Sequence, residues 1–493
     1  MVANFALWSI LMLPVLTAGL CLLLGSPKRI MWVVAVGGGG WAVFAGAVAC
    51  TALSSVSITA ARNWLLLDAL SAYHMSVLAV VFGASSIYAR RYFQGEISAG
   101  TLSPSAARKF GALWFGSVAA MASVLLCNNL GFMWVGIEAT TLLTAFLICV
   151  HITPLSLEAM WKYLVVCSVG VAFAFVGTLL VASAAQALGH NAGDMLLWTV
   201  LRADAGGLAP GPMKVAFIFL VVGYGTKAGL APLHSWLPDA HSQAPAPVSA
   251  LLSGFILNAA LYCIMRYLPL VEAATGEIGW GRQLLVVLGI ASMVVAAAFI
   301  LFQHDGKRLL AYSSIEHMGI ITLGLGLGGL GTFAGLWHVL NHSVCKTLAF
   351  FSVGWLGQMY GTHDLGRIAG AMRRSPVWGF SFFASVLVLI GVAPFAIFMS
   401  ELQILRAAVD GHLYVILGIF LGAVGIVFVG ALRLVLAPAW GREVIVPKPQ
   451  PAELGDLLLV FAGLGLLLLL GLWLPVPLRE AMESAAQIIR GGP

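Results

Sequence analysis

The chain has 493 residues, of which 61% are hydrophobic and only 9% are charged. Soluble globular domains carry about a quarter charged residues, so this composition excludes a soluble domain and predicts an integral membrane protein. The formal net charge of +6 does not indicate nucleic-acid binding, because basic loops of a membrane protein reflect its orientation before any ligand.

Apolar runs long enough to cross a hydrocarbon core about 30 Å thick recur along the chain. Runs such as 457–470 show no alternation of polarity, which argues against a β-barrel and favours an all-α integral membrane fold built from helices alone. Breaks rich in charge, Pro or Gly divide the sequence into about fourteen transmembrane helices. They are predicted near 4–24, 30–53, 66–89, 110–127, 130–150, 161–186, 213–231, 246–267, 283–302, 308–328, 332–358, 376–408, 412–437 and 455–475.

The Lys and Arg residues are concentrated in the odd-numbered loops, for example Arg90, Arg91, Arg108 and Lys109. Because basic residues favour the cytoplasmic side, this bias predicts that both termini lie on the outer face of the membrane.

A short motif occurs twice. Residues 229–233, GLAPL, lie in the seventh span, and residues 391–395, GVAPF, lie in the twelfth. Equivalent segments five spans apart cross the membrane in opposite directions, which predicts two inverted five-helix repeats with broken helices 7 and 12. The expected divisions are helices 1–3 at 1–109, the first repeat at 110–267, the second at 282–437, and the last helix with a short tail at 455–493.

Several ionisable residues lie within predicted spans. A charge in hydrocarbon costs at least about 2.5–3.5 kcal/mol, so each is a functional candidate. They are Glu138 in the fifth span, Lys227 before the Pro232 break, Glu316 and His317 in the tenth span, His338, His342 and Lys346 at four-residue steps in the eleventh, and Glu401 after the Pro394 break.

A row of carboxylates, amines and imidazoles is what proton transfer through a dry helix bundle requires. Burial disfavours the charged form of each group and a neighbouring opposite charge favours it, so moving one charge alters the next. Each group also has a structural alternative as half of an ion pair or as a hydrogen-bonded core histidine. Glu158 and Lys162, four residues apart, are equally consistent with a surface pair.

The seven cysteines occur singly within apolar runs, with no CxxC pattern and no spacing typical of metal ligands. The sequence therefore predicts no cofactor and no metal site in this chain.

Two segments carry a family resemblance: KAGLAPLHSWLPDAHS at 227–242 and DGKRLLAYSSIEHMG at 305–319. They resemble the antiporter-like subunit family shared by respiratory complex I, multi-subunit sodium/proton antiporters and membrane-bound hydrogenases. The resemblance covers nearly the whole chain and is strongest from Gly131 to Arg406.

The resemblance implies proton-transfer roles for the ionisable residues. It pairs Glu138 with Lys227 in the first half-channel, with Lys162 adjoining. It assigns Lys346 to the connection between half-channels and Glu401 to the terminal group in the twelfth span. The same role extends to His234 and His241 in the first segment, and to Glu316, His317, His338 and His342.

Two residues differ from the pattern of the complex I subunits and indicate which branch of the family the chain resembles. Asn258 stands in the eighth span where complex I subunits with this loop usually carry a lysine, and Glu316 stands where they usually carry a serine. Both features look more like component F of the group 4 membrane hydrogenases, of the hydrogenase-4 and formate hydrogenlyase type. Asn258 puts the central proton carrier of the eighth span in question.

The sequence thus predicts a proton-translocating subunit of a redox-driven complex in a bacterial inner membrane. Its partners would be other antiporter-like membrane subunits and a peripheral redox module, which would hold any nickel–iron and iron–sulfur centres. Two alternatives stay open: an Mrp-type sodium/proton antiporter subunit, or a structural scaffold whose half-channels no longer conduct.

Overall fold

The computed structural model describes residues 2–53, 57–277, 279–441 and 451–491, so the terminal residues of the first and last predicted divisions lie outside the described part. Helices dominate these ranges, which confirms the all-α class. Within them, ten helices are long and apolar enough to cross a membrane by length and composition. The chain is therefore a multi-pass membrane protein.

The N-terminal part, within the described ranges, forms eight helices and one hairpin. The elements are α1 Val2–Leu23, α2 Pro27–Cys50, β1 Ile58–Ala60, β2 Leu65–Leu67, α3 Ala69–Tyr92, α4 Gln94–Ser98, α5 Pro104–Leu126, α6 Leu130–Ile148, α7 Pro154–Ala187 and α8 Trp198–Ala203, followed by a 3-10 turn at Ala205–Gly207.

Two details of this part differ from the sequence prediction. Strands β1 and β2 pair antiparallel, with Thr59 opposite Leu66, so helices are not the only element. The third span begins at Ala69, because the Asp68 side chain caps that helix. Helix α7 begins at Pro154, several residues earlier than predicted, because Thr153 and Ser156 form a capping box.

The central part contains the most deeply buried helices. The elements are α9 Pro210–Ala228, α10 Leu237–Gln243, α11 Ala246–Leu251, a π-helical turn at Leu252–Ile256, α12 Leu257–Thr275, α13 Trp280–Ile300, α14 Gly306–Leu327 and α15 Gly329–Tyr360. Helices α12, α14 and α15 are buried on nearly every side. A helix that is buried all round forms the core of a bundle, so polar residues on these three helices face other helices and not lipid.

The C-terminal part adds six helices among the described residues. They are α16 Ala371–Arg374, α17 Pro376–Leu389, α18 Ala396–Asp410, α19 Tyr414–Trp440, α20 Leu454–Leu472 and α21 Val476–Ile489. Helix α21, where the sequence prediction placed only a short tail, contacts α3, α12 and α15 through a buried face that includes Met482, Ala485 and Ile489.

The chain leaves the helical conformation at both copies of the repeated motif. Helix α9 ends at Ala228, the following Gly229 has a φ of 75°, and α10 begins only at Leu237. Helix α17 ends before Gly391, which has a φ of 73°, and α18 begins at Ala396. Glycine tolerates this left-handed conformation because it lacks a Cβ.

Four predicted spans fall on helices outside the set of ten. They correspond to α9, α14, α15 and the interrupted pair α17–α18. These helices contain charged residues or breaks, which lower their hydropathy or shorten their continuous length. The charged residues and breaks that exclude these four spans from the ten long apolar helices are therefore the same features that carry the candidate chemistry.

Candidate functional site

Lys227 lies in the last turn of α9, directly before the interruption. Its side chain is fully buried. The ammonium donates hydrogen bonds to the hydroxyl oxygens of Thr141 at 2.9 Å and of Tyr163 at 2.5 Å. Two neutral hydroxyl groups from α6 and α7 therefore hold this charge.

Glu138 lies one turn before Thr141 on α6. Its Oε1 accepts a hydrogen bond from the Ser168 hydroxyl at 2.7 Å, and its Oε2 is buried without a hydrogen-bond partner in the described ranges. In those ranges no salt bridge joins Glu138 to Lys227, although the Glu138 charge lies near enough to act on the ammonium, so the pairing implied by the family resemblance stays a prediction. Thr141 and Tyr163 occupy the positions on the ammonium that a carboxylate would take.

Lys162 precedes Tyr163 on α7 and binds two carboxylates. Its ammonium contacts Asp239 Oδ2 at 2.5 Å and Glu158 Oε1 at 3.5 Å, so the surface-pair alternative for Glu158 describes part of what is observed. Asp239 on α10 also accepts a hydrogen bond from Arg308 at 2.6 Å. One carboxylate thus links α7 to α14 across the short helix α10.

The start of α14 is held to the segment after α10. Asp305 caps α14 by accepting hydrogen bonds from the backbone N–H groups of Lys307 and Arg308. The Lys307 ammonium donates to the backbone carbonyls of Ser242, at 3.1 Å, and of Ala244. In the loop after α15, burial, and secondarily the charge of Lys307, lowers the pKa of His363 to about 3, so His363 adds no charge at neutral pH.

His234 and His241 lie on either side of the start of α10. His234, in the interrupted segment, is half-buried, and its Nδ1 has no hydrogen-bond partner in the described part of the chain. Both ring nitrogens of His241 are likewise unsatisfied. The His241 ring stacks on Phe350 of α15 at 5.5 Å and lies 6.4 Å from the Trp236 ring, so it bridges the interruption and the core helix α15.

Lys346 is the central buried lysine of α15. Its ammonium donates to the backbone carbonyl oxygen of Leu310 at 2.8 Å, and the described residues include no salt-bridge partner for it. Glu316 lies on α14, the same helix as Leu310, and its Oε2 is buried without a hydrogen-bond partner there. A buried amine and a buried carboxyl therefore occupy the α14–α15 contact without pairing directly.

The π-helical turn supplies a carbonyl to this region. His342 Nε2 lies 3.3 Å from the carbonyl oxygen of Ser253 in that turn. A π-helical turn leaves the regular i→i−4 hydrogen-bond pattern and often marks a functional site. The Ser253 hydroxyl also lies 2.8 Å from the Ser314 hydroxyl, so α11–α12, α14 and α15 meet here.

Asn258 stands at the position of the expected lysine and is hydrogen-bonded there. Its amide donates to the Gly254 carbonyl at 3.1 Å and to the Ser343 hydroxyl at 3.0 Å, and its Oδ1 is buried without a partner in the described ranges. The position remains polar, but it contributes no titratable group.

The histidines of α14 and α15 meet at the far end of the site. His317 Nδ1 lies 2.9 Å from His338 Nε2, and His338 Nδ1 lies 2.9 Å from the Ser400 hydroxyl. The His317 ring also lies 5.2 Å from the His342 ring. One ligand atom each from His317, His338 and Glu401 fall within 4.8 Å of one another.

The contacts together form a connected series. Tyr163, which holds Lys227, packs against Trp236 at 4.9 Å; Trp236 and Phe350 flank His241, and Lys346 and His342 precede Phe350 on α15 at four-residue steps. His342 then neighbours His317. The predicted residues Lys227, His241, Lys346, His342, His317, His338 and Glu401 are thus brought together, and Lys162 forms an ion pair with Asp239 on α10, the helix that carries His241.

Sequence reasoning missed three residues of this arrangement: Tyr163, Asp239 and Ser400. Tyr163 and Ser400 carry no charge within their apolar runs, so no hydropathy signal marks them. Asp239 lies within the segment 227–242 and could have been found there as a carboxylate beside the repeated motif.

The fold and its buried ionisable residues define a multi-pass helical membrane protein with a polar core. The family described as NADH:quinone oxidoreductase/Mrp antiporter, transmembrane, matches residues 127–427. The chain is 40% identical over 348 residues to a hydrogenase-4 component F homolog of Methylacidiphilum infernorum, an alignment that spans 70% of this chain and 73% of that protein. The chain therefore belongs to the NADH:quinone oxidoreductase/Mrp antiporter membrane-subunit family.

Further relatives come from several kinds of complex. The chain is 29% identical to hydrogenase-4 component B of Escherichia coli over 68% of its own length, although the match covers only 50% of that protein. A chain of the membrane-bound sulfane sulfur reductase, an archaeal respiratory membrane complex, superposes with a TM-score of 0.84 at 25% identity, covering 98% of this chain and 97% of that one. A chain of the Mrp complex from a Dietzia species shares the fold, with a TM-score of 0.86 at 20% identity over 99% and 98% of the two chains.

Proposed function

We propose that this antiporter-like subunit translocates protons across a bacterial inner membrane, driven by electron transfer in a peripheral module of a hydrogenase-type or complex I-like complex. The redox chemistry would belong to that module, and this chain would contribute no redox centre. Other antiporter-like membrane subunits would be its neighbours in the membrane.

The observation that carries the proposal is the environment of Lys227 and Lys346. Both ammonium groups are fully buried, and their hydrogen-bond partners are hydroxyl and carbonyl oxygens. A structural lysine in a low-dielectric interior is normally paired with a carboxylate, because an uncompensated buried charge is strongly destabilising. Amines that have no carboxylate bonded directly to them are suited to releasing and regaining a proton.

The repeated motif supports a two-part path. We propose that the fourteen spans include two inverted five-helix units, at 110–267 and 282–437, with their interruptions at 229–236 and 390–395. Freed backbone groups at such interruptions require polar partners or water. Lys227 precedes one interruption and Glu401 follows the other, so the two units would each bring one titratable group to a break.

The direction of transport depends on the membrane orientation. The positive-inside bias favours both termini on the outer face. In that orientation the loop after α18 faces outward, and Glu401 would exchange protons with the outer side.

Glu401→Gln tests the path at its terminal group. The amide preserves the size of the side chain but cannot carry the proton, so the assembled complex should lose proton translocation through this subunit while keeping electron transfer. Glu277→Gln, which changes an exposed carboxylate paired with Lys214, is the matched control and should retain both. Proton uptake by vesicles and assembly on native gels are the measurements; failure of Glu401→Gln to assemble would assign the residue a structural role.

A second candidate is sodium/proton exchange. The chain is 28% identical, over 56% of its length, to a Na(+)/H(+) antiporter protein of Alkalihalophilus pseudofirmus, and the match covers 56% of that protein. In that case transport would require sodium and would persist without the redox module, so removing sodium discriminates the two functions.

The neutral amide of Asn258 favours a third candidate, a scaffold protein that no longer conducts. This candidate predicts that neither Lys227 nor Glu401 affects proton movement.

A further inference from the structure

His317 and His338 present facing ring nitrogens to each other at the contact of α14 with α15. The two atoms, His317 Nδ1 and His338 Nε2, lie 2.9 Å apart, and both rings are fully buried. A carboxylate oxygen of Glu401 completes a group whose ligand atoms all lie within 4.8 Å of one another. Three helices, α14, α15 and α18, each contribute one member.

Ser400 offers His338 a hydrogen-bond acceptor for the proton on Nδ1. The backbone carbonyls of Ile397 and Ala396 both lie within reach of the Ser400 hydroxyl hydrogen, and with the hydrogen on either carbonyl Ser400 Oγ accepts from His338 Nδ1. In that arrangement His338 carries its proton on Nδ1 and directs the lone pair of Nε2 at His317.

Neutral His317 then has two arrangements, and neither satisfies both of its nitrogens. With the proton on Nδ1, it donates to His338 but leaves a bare lone pair on Nε2, which is buried without a hydrogen-bond partner in the described ranges. With the proton on Nε2, two lone pairs face each other at 2.9 Å. A cation between the two nitrogens resolves the second arrangement by binding both lone pairs.

We propose that His317, His338 and Glu401 form a binding site for a divalent transition metal, with Zn²⁺ as the best match. Two imidazole nitrogens and one carboxylate oxygen are a ligand set that Zn²⁺ prefers, with a fourth position left for water. Zn–N bonds of about 2.0–2.1 Å in tetrahedral geometry separate two nitrogens by about 3.3 Å, so the rings need to part by only a few tenths of an ångström.

The surroundings of His338 match those of a metal ligand. A ligating histidine usually donates its other ring N–H to an oxygen that fixes the ring, and Ser400 Oγ lies 2.9 Å from His338 Nδ1, where it can accept such a bond. The Asn341 amide donates to the same hydroxyl at 3.2 Å and so fixes Ser400 in turn. No spacing motif marks this ligand set, because its three members come from helices far apart along the chain.

A bound zinc ion would oppose the proposed proton path at its end. It would occupy the two imidazole lone pairs and the Glu401 carboxylate, so none of the three could accept a proton. It would also tie α18 to α14 and α15. This inference concerns metal binding and stands even if the chain does not translocate protons.

Zinc binding to the assembled complex provides the test. The complex is stripped with a chelator, equilibrated with Zn²⁺ and freed of loose metal by gel filtration, and bound zinc is measured against complexes that carry single substitutions. We expect His317→Gln, His338→Gln and Glu401→Gln each to lack one zinc ion per copy of this chain relative to the unsubstituted complex. The comparison removes any zinc held by other subunits.

His342→Gln is the matched control, since it removes a neighbouring buried imidazole outside the ligand set and should keep the zinc ion. Ser400→Ala should retain the ligands but weaken zinc affinity at least about ten-fold. The proposal would be overturned if the unsubstituted complex and the three ligand variants bound the same amount of zinc. It would also be overturned if His342→Gln lost as much zinc as His338→Gln. Three independent ligand variants keep the test decisive if one of them fails to assemble.

Discussion

The Lys227 ammonium shows how neighbouring groups decide what a buried charge can do. Its position within the seventh span follows from the sequence, but its partners do not. Tyr163 is 64 residues away along the chain and Thr141 is 86 residues away, and neither carries a charge that would mark it. The family resemblance pairs Lys227 with Glu138, but it does not indicate the two hydroxyl groups that bind the ammonium.

Tyr163→Phe removes the shorter of the two hydrogen bonds to Lys227. A hydrogen bond to a charged group contributes about 1.5–3 kcal/mol, and a neutral one about 1 kcal/mol. Tyr73→Phe is the control, because it deletes a buried hydroxyl that donates to the Leu336 carbonyl at 2.6 Å.

We expect Tyr163→Phe to lower the thermal midpoint in detergent more than Tyr73→Phe does, and to reduce proton translocation, which Tyr73→Phe should leave intact. Equal effects of the two substitutions on both measurements would mean that Tyr163 contributes only packing and an ordinary hydrogen bond.

The interrupted helices are the elements that position the terminal groups. At Gly391 the backbone adopts a φ of 73°, and a Cβ added there would lie 2.6 Å from Glu401 Oε2. The glycine therefore serves two purposes, since it permits the left-handed turn and leaves room for the carboxylate.

Gly391→Ala should affect both purposes. The left-handed conformation costs an L-residue roughly 1–2 kcal/mol, and the added methyl group would displace the Glu401 carboxylate. We expect a lower unfolding midpoint together with impaired proton translocation.

Gly411→Ala is the control at the other end of α18, where φ is −84° and the nearest atom to an added Cβ is 3.4 Å away. It should change stability by no more than about 0.5 kcal/mol. If Gly391→Ala behaved like Gly411→Ala, the tight fit between the interruption and Glu401 would be refuted.

Element type was predictable from the sequence, but several boundaries were not. Long apolar runs located most of the membrane helices, because hydrocarbon demands about 20 apolar residues per crossing. The hairpin at β1 and β2 is too short and too close to an apolar run to stand out. Helix α21 has an apolar face that packs on α3. Its sequence mixes polar and apolar residues, so its mean hydropathy does not reveal that face.

The arrangement of the site was only partly predictable. The three-residue set on α15 was readable because His338, His342 and Lys346 recur at four-residue steps on one helical face. Contacts between helices could not be predicted from the sequence, since they depend on how α6, α7, α10, α14 and α18 pack. The Lys162–Asp239–Arg308 network and the His317–His338–Glu401 cluster both belong to that class.

At the scale of the whole molecule, buried ionisable groups extend from the interruption after α9 to the interruption before α18. The central claim is that this series carries protons in step with electron transfer elsewhere in the complex. It predicts that losing one internal amine uncouples the two processes without stopping electron transfer.

The most direct test of that claim uses Lys227→Met. We would measure the ratio of protons translocated to electrons transferred in vesicles that contain the assembled complex. Lys214→Met is the control, because Lys214 is a partly exposed lysine paired with Glu277 at 2.8 Å. The account predicts a lower ratio in Lys227→Met with electron transfer retained, and an unchanged ratio in Lys214→Met. An unchanged ratio in Lys227→Met, with the complex assembled, would contradict it.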